Sequence, residues 1–142
     1  MHEVSFEEAL VLILAKDPRF HEDAYCFVRE ALDHTQKAIG KDSQGQHHVT
    51  GQQLLGGIRD FALNQFGPMA MMVLNEWGVH TCQDFGDIVF NMVESGLLAK
   101  TEKDSRADFA GGYEFYDAFR RPFLPTAKQR NPEPAPASSA GR

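Results

Sequence analysis

Three times in the first 85 residues a hydroxyl side chain stands three positions ahead of one that can return its hydrogen bond. The pairs are Ser5 and Glu8, Thr50 and Gln53, and Thr81 and Asp84. Each has the form of a capping box: the hydroxyl accepts the N–H of the third helical residue, whose side chain accepts the N–H of the cap. Behind each pair, apolar residues recur at helical spacing. They are Phe6, Leu10, Ile13 and Leu14; then Leu54, Leu55, Ile58, Phe61, Ala62 and Phe66; then Phe85, Ile88, Val89, Met92 and Val93. A chain punctuated in this way builds helices with fixed starts, and its fold is set by how their stripes meet.

The breakers set the other boundaries. Pro18 disfavours helical dihedrals at Asp17, so the first helix ends near residue 16. A second helix is predicted over 21–39, with Ala24, Phe27, Val28, Ala31, Leu32 and Ile39 as its stripe and Gly40 as its C-terminal cap. Residues 41–49 read as a surface loop. In the third helix Gly56 and Gly57 each cost about 1 kcal/mol relative to alanine, which points to close packing against a neighbouring backbone. Gly67-Pro68 separates it from a fourth helix over 68–77, with Met69, Met72, Val73 and Trp77 inward and Met71 and Leu74 outward. The fifth helix spans 81–95 and closes at Gly96. Leu97 to Thr101 then reads as a short strand and 102–112 as a polar tip. Tyr113 and Phe115 return as a second strand, or begin a short helix through Phe119. From Pro125 onward the chain is Pro, Ala, Ser and charge, a composition that cannot offset its ordering entropy and is expected to be disordered. The expected architecture is mainly α with a small β-hairpin. Residues 1–124 form one domain, sized to a chain of 142 residues, and 125–142 form a tail.

Residues 51–117 resemble a winged helix-turn-helix unit. The resemblance rests on the helix order and on Glu94-Ser95-Gly96-Leu97-Leu98-Ala99-Lys100, the form in which such recognition helices pass into a wing strand. Asp104-Ser105-Arg106 matches a wing tip. With the two N-terminal helices read above, the resemblance implies a winged-helix-like unit over 51–119. The chain up to about Leu124 also resembles a family of small bacterial proteins of unassigned activity, through Asp23–Thr35, Val49–Ala70 and Asp84–Phe115. That resemblance implies a bacterial cytoplasmic protein and carries over no site residues.

Charge argues against the DNA binding a winged helix commonly performs. Phosphate contacts need cations, yet residues 81–95 contain three carboxylates and no Lys or Arg. Residues 1–124 hold 11 Lys and Arg against 19 Asp and Glu, a balance of −8, which the tail offsets to −6 overall. The outward positions of that helix, Gln83, Asp84, Asp87, Phe90 and Asn91, are therefore read as a protein-binding face, with Met71 and Leu74 as apolar additions. Lys100, Lys103, Arg106 and Phe109 are the wing candidates.

Enzyme signatures do not assemble. His47-His48 has no spaced partner, His21 and His34 are too far apart for one helical turn, and Cys26 and Cys82 form no paired motif. Gly51–Gly57 lacks the Lys-Ser/Thr ending of a phosphate loop, and Ser95-Gly96 lacks the strand-turn-helix setting of a nucleophile. No apolar run approaches the ~20 residues needed to span a bilayer, and His2-Glu3 does not open a secretory signal. The sequence thus predicts a non-enzymatic module without cofactor or metal, acting in the cytoplasm on another protein or on itself; the alternative reading is a DNA-binding transcriptional regulator, and the third is a small enzyme with an unrecognised site.

Overall fold

The computed structural model describes residues 5–43, 49–98 and 106–125. Helix α1 (Phe6–Lys16) opens at the first capping box: Ser5 Oγ accepts the Glu8 N–H at 3.1 Å and Glu8 Oε1 accepts the Ser5 N–H at 3.3 Å. After the Asp17-Pro18 turn, α2 (Glu22–Ser43) is the longest element. It continues past the predicted stop at Gly40, which stays helical instead of turning the chain. Helix α3 (Gly51–Phe66) begins where Thr50 and Gln53 exchange both hydrogen bonds at 3.0 Å. A 3-10 turn over Gly67–Met69 leads into α4 (Ala70–Glu76). Helix α5 (Cys82–Glu94) starts at Thr81 and Asp84, which exchange theirs at 3.2 Å. Asp84 Oδ2 also accepts the His80 N–H at 2.8 Å.

Helix α5 is central. Seven of its thirteen residues are buried, and it packs against α1, α2, α3 and the Arg106–Phe109 turn. Helices α2 and α3 make the most extensive pairing, and Gly57 shows why. A Cβ there would collide with the hydroxyl of Thr35, which is buried and donates to the Ala31 carbonyl at 2.7 Å. The glycine pair is thus split in role, because nothing lies within 4 Å of a Cβ at Gly56. Gly78 has a φ of 87°, and a side chain there would meet the Arg19 carbonyl oxygen. That close approach lets the His21 N–H donate to the Trp77 carbonyl at 3.0 Å, tying the start of α2 to the end of α4.

Two expectations are corrected. The first is the phase of the fourth helix. Ala70 and Leu74 are its fully buried residues, while Met69 and Met72 are each 50% exposed. The 3-10 turn delays the α-helix to Ala70, and two inward residues four apart leave Met72 on the opposite side. The second is the β-hairpin. Leu97 and Leu98 lie in a turn, residues 99–105 are outside the described residues, and no strand occurs among the described residues. In place of a returning strand the chain forms a 3-10 turn at Arg106–Phe109, a π-helical turn at Tyr116–Arg120 and a 3-10 turn at Arg121–Phe123. The reason is burial. Phe115, Ala118 and Phe119 all reach the core, at spacings of three and four that only a helical backbone can turn to one side. Phe115 packs on Phe85 and Phe119 at centroid distances of 5.6 and 5.1 Å. The structure therefore has neither the wing nor the hairpin of a winged helix among its described residues. Residues 126–142 of the predicted tail also lie outside them.

Candidate interaction surface

The face of α5 that the sequence offers to a partner is turned largely inward. Gln83 is exposed, but Asp84 is occupied in capping the helix. Asp87 pairs with Arg19 at 3.3 Å and keeps 17% of its side chain in solvent. Asn91 Nδ2 donates to Asp17 Oδ2 and to Tyr25 Oη, both at 3.0 Å. Arg19 completes the group by gripping Asp17 through Nε and Nη2 at 2.9 and 2.8 Å. The hydrogen bonds from Arg19, followed by the bond from Asn91, hold the Asp17 carboxyl far below the ordinary carboxylate range despite its burial. Tyr25 has no exposed surface, and burial raises its phenol. These polar residues join the α1–α2 turn to α5.

Phe90 is buried and meets Phe109 edge-to-face at 6.4 Å. Phe109 itself lies against Gly86, where an added Cβ would stand 2.8 Å from the Phe109 Cβ. Of the fourth-helix candidates, Leu74 has no exposed surface and Met71 is half-buried. Lys100, Lys103 and the side chain of Arg106 are outside the described residues.

The apolar surface that does reach solvent lies elsewhere. Met69, Met72, Tyr116 and Phe123 are 50%, 50%, 47% and 45% exposed. They sit on the Gly67–Met69 turn, α4, and the two turns spanning Tyr116–Phe123, elements that pack in sequence on one another. A charged edge accompanies them: Arg121 Nε donates to Asp117 Oδ1 at 2.9 Å, and its guanidinium lies 5.7 Å from the Tyr116 ring centroid. Methionine, tyrosine, phenylalanine and arginine are the residues enriched where proteins meet. A second pair, Val11 and Leu12 on α1, is exposed at 68% and 66%. Helix α1 packs chiefly on α2 and α5, whereas the four residues above lie on α4 and on turns that pack on it or on one another.

Cys82 is buried, with Sγ 3.3 Å from both the N and O of Tyr113, and burial pushes its thiol up. Among the described residues no three His, Cys, Asp or Glu side chains converge as a metal site requires, and no helix is long and apolar enough to cross a membrane. No protein-family model, no curated protein and no solved structure matches this chain.

Proposed function

We propose that this protein is a non-enzymatic protein–protein interaction module of the bacterial cytoplasm, acting on another protein or on a second copy of itself. The observation that carries the reading is the exposure of Met69, Met72, Tyr116 and Phe123 on elements that pack on one another. Large apolar side chains half in water on adjoining elements gain by being covered, and each fully buried one contributes about 1.5–3 kcal/mol. Unbranched methionines fit an irregular partner surface, and the Asp117–Arg121 pair supplies a polar rim.

The test is capture from nuclease-treated bacterial lysate, alongside sedimentation of the purified chain. The double variant Met72→Asp, Phe123→Asp should reduce recovery of the bound protein, or self-association if that is the mode, at least about tenfold. That is the scale of one lost anchor of 1.4 kcal/mol or more. Val11→Asp on α1 should leave recovery unchanged. Exposed sites tolerate such changes within about 0.5 kcal/mol of stability, so unfolding should not confuse the result. Undiminished recovery by the double variant would remove these residues as the interface.

A further inference from the structure

Beyond the exposed methionines, the pairing of α2 with α3 leaves a small aromatic recess of about 180 Å³. Phe27, buried, forms its floor. Around it stand Phe61, Phe66 and Trp77, half-buried, with ring centroids 5.5, 5.7 and 5.6 Å from that of Phe27. Phe66 and Trp77 meet edge-to-face at 5.8 Å. Two carboxylates, Asp23 and Glu30, flank Phe27 one turn to either side on α2 and also line the recess. No lysine or arginine lines it. Among the described residues no Lys or Arg is paired with Glu30 or Asp23; Asp23 lies 3.5 Å from His21.

The neighbouring cations are already engaged. Arg29 lies over the Phe6 ring at 4.4 Å and Lys37 pairs with Asp33 at 3.0 Å. They belong to a wider depression that shares Glu30 and Phe61 with the recess.

We propose that this recess receives an arginine side chain from a basic segment of a partner protein. Aromatic faces attract a cation through their quadrupoles, and a planar guanidinium stacks on rings while its edge donates to carboxylates. Asp23 and Glu30 supply the acceptors, and the rings supply the faces. The recess is smaller than the roughly 300–1,000 Å³ typical of small-molecule pockets, and its size suits one side-chain headgroup.

Trp77 is the only tryptophan, so its emission reports directly on occupancy. The probe is an acetylated, amidated hexapeptide alternating arginine and glycine, titrated against the same peptide with citrulline in place of arginine. The arginine peptide should give a saturable change in emission and bind about tenfold more tightly than its neutral counterpart. Glu30→Gln and Asp23→Asn, both exposed helix positions that keep their shape, should each weaken binding several-fold. Glu114→Gln, on the opening beside Cys82, should leave it unchanged. The Met72→Asp, Phe123→Asp variant should also bind normally, which separates this site from the surface above. Equal binding of the citrulline peptide, an equal loss from Glu114→Gln, or an unresponsive Trp77 would each overturn the proposal.

Discussion

Gly57→Ala should lower the stability of the protein by about 2 kcal/mol, whereas Gly56→Ala, one residue earlier in the same helix, should raise it by up to about 1 kcal/mol. Alanine is the better helix former at both positions, so propensity alone predicts a gain twice. Packing reverses the sign at Gly57. Its added Cβ would overlap the Thr35 hydroxyl and lie 2.9 and 3.1 Å from Thr35 Cβ and Cγ2. Thr35 cannot swing aside freely. It is β-branched and stiff at χ1, it is buried, and its hydroxyl is committed to Ala31. Helices α2 and α3 must then separate, loosening the most extensive pairing in the fold. Urea unfolding of the two alanine variants provides the measurement. Thr35→Ala added to Gly57→Ala should recover part of the loss, with a coupling of roughly 1 kcal/mol between these contacting residues. Equal unfolding midpoints for Gly56→Ala and Gly57→Ala would contradict this account of the helix contact.

The same comparison marks what could be read in the chain. Ser5, Thr50 and Thr81 each cap the predicted helix, because a capping box is a local exchange within four residues and needs no knowledge of the rest of the fold. Pro18 and Gly67-Pro68 also act locally, and they end α1 and α3 where expected. The phase of α4 could not be read this way. Ala70-Met71-Met72-Val73-Leu74 is apolar throughout, so no polar residue marks the solvent side, and a shift of one position moves the inward pair from Met69 and Val73 to Ala70 and Leu74. Over residues 113–119 the short-helix alternative holds and the strand does not, and the hairpin reading failed for a related reason. The segment's aromatic richness fits strand propensity, but propensity on a half-buried surface depends on packing. Here Phe109 found Phe90 and Gly86, while Phe115 and Phe119 found Phe85 and each other.

The interaction surface was less legible than the fold. Asp87 and Asn91 are polar residues on the outward side of an amphipathic pattern, which is also how a residue joined to a distant polar group appears. Their partners Arg19, Asp17 and Tyr25 lie more than 60 residues away in sequence, so only the folded chain reveals the pairing. Phe61, Phe66 and Trp77 read as core stripe, and nothing in the pattern shows that they stay half-buried in a recess shared with Asp23 and Glu30. The negative charge that argued against nucleic acid is therefore partly structural: Asp87 pairs with Arg19, and Asp84 caps its own helix.

The polar group itself should govern how the protein responds to acid. Asp17→Asn should cost about 2 kcal/mol at pH 7, the scale of hydrogen bonds made to a charged group. Arg19 is half exposed, so its share is screened by solvent, and much of the effect rests on the enclosed side of Asp17, where Asn91 donates. The sign with pH follows from a carboxyl whose folded value lies below its ordinary 3.8. Its contribution is complete above that ordinary value and drains away as pH falls, because the unfolded chain takes up the proton first. The gap between wild type and Asp17→Asn should consequently narrow by about 1 kcal/mol between pH 7 and pH 3. Asn91→Ala should behave differently. It removes one donor to Asp17 and also leaves the fully enclosed Tyr25 hydroxyl without that amide, at a cost of about 2–3 kcal/mol. The Tyr25 share persists in acid, since no carboxylate titrates in it, so Asn91→Ala should remain the more damaging change at pH 3. Chemical denaturation of both variants across this range decides the matter: a pH-independent gap for Asp17→Asn would show that the carboxylate's charge contributes little to holding α5 against the α1–α2 turn.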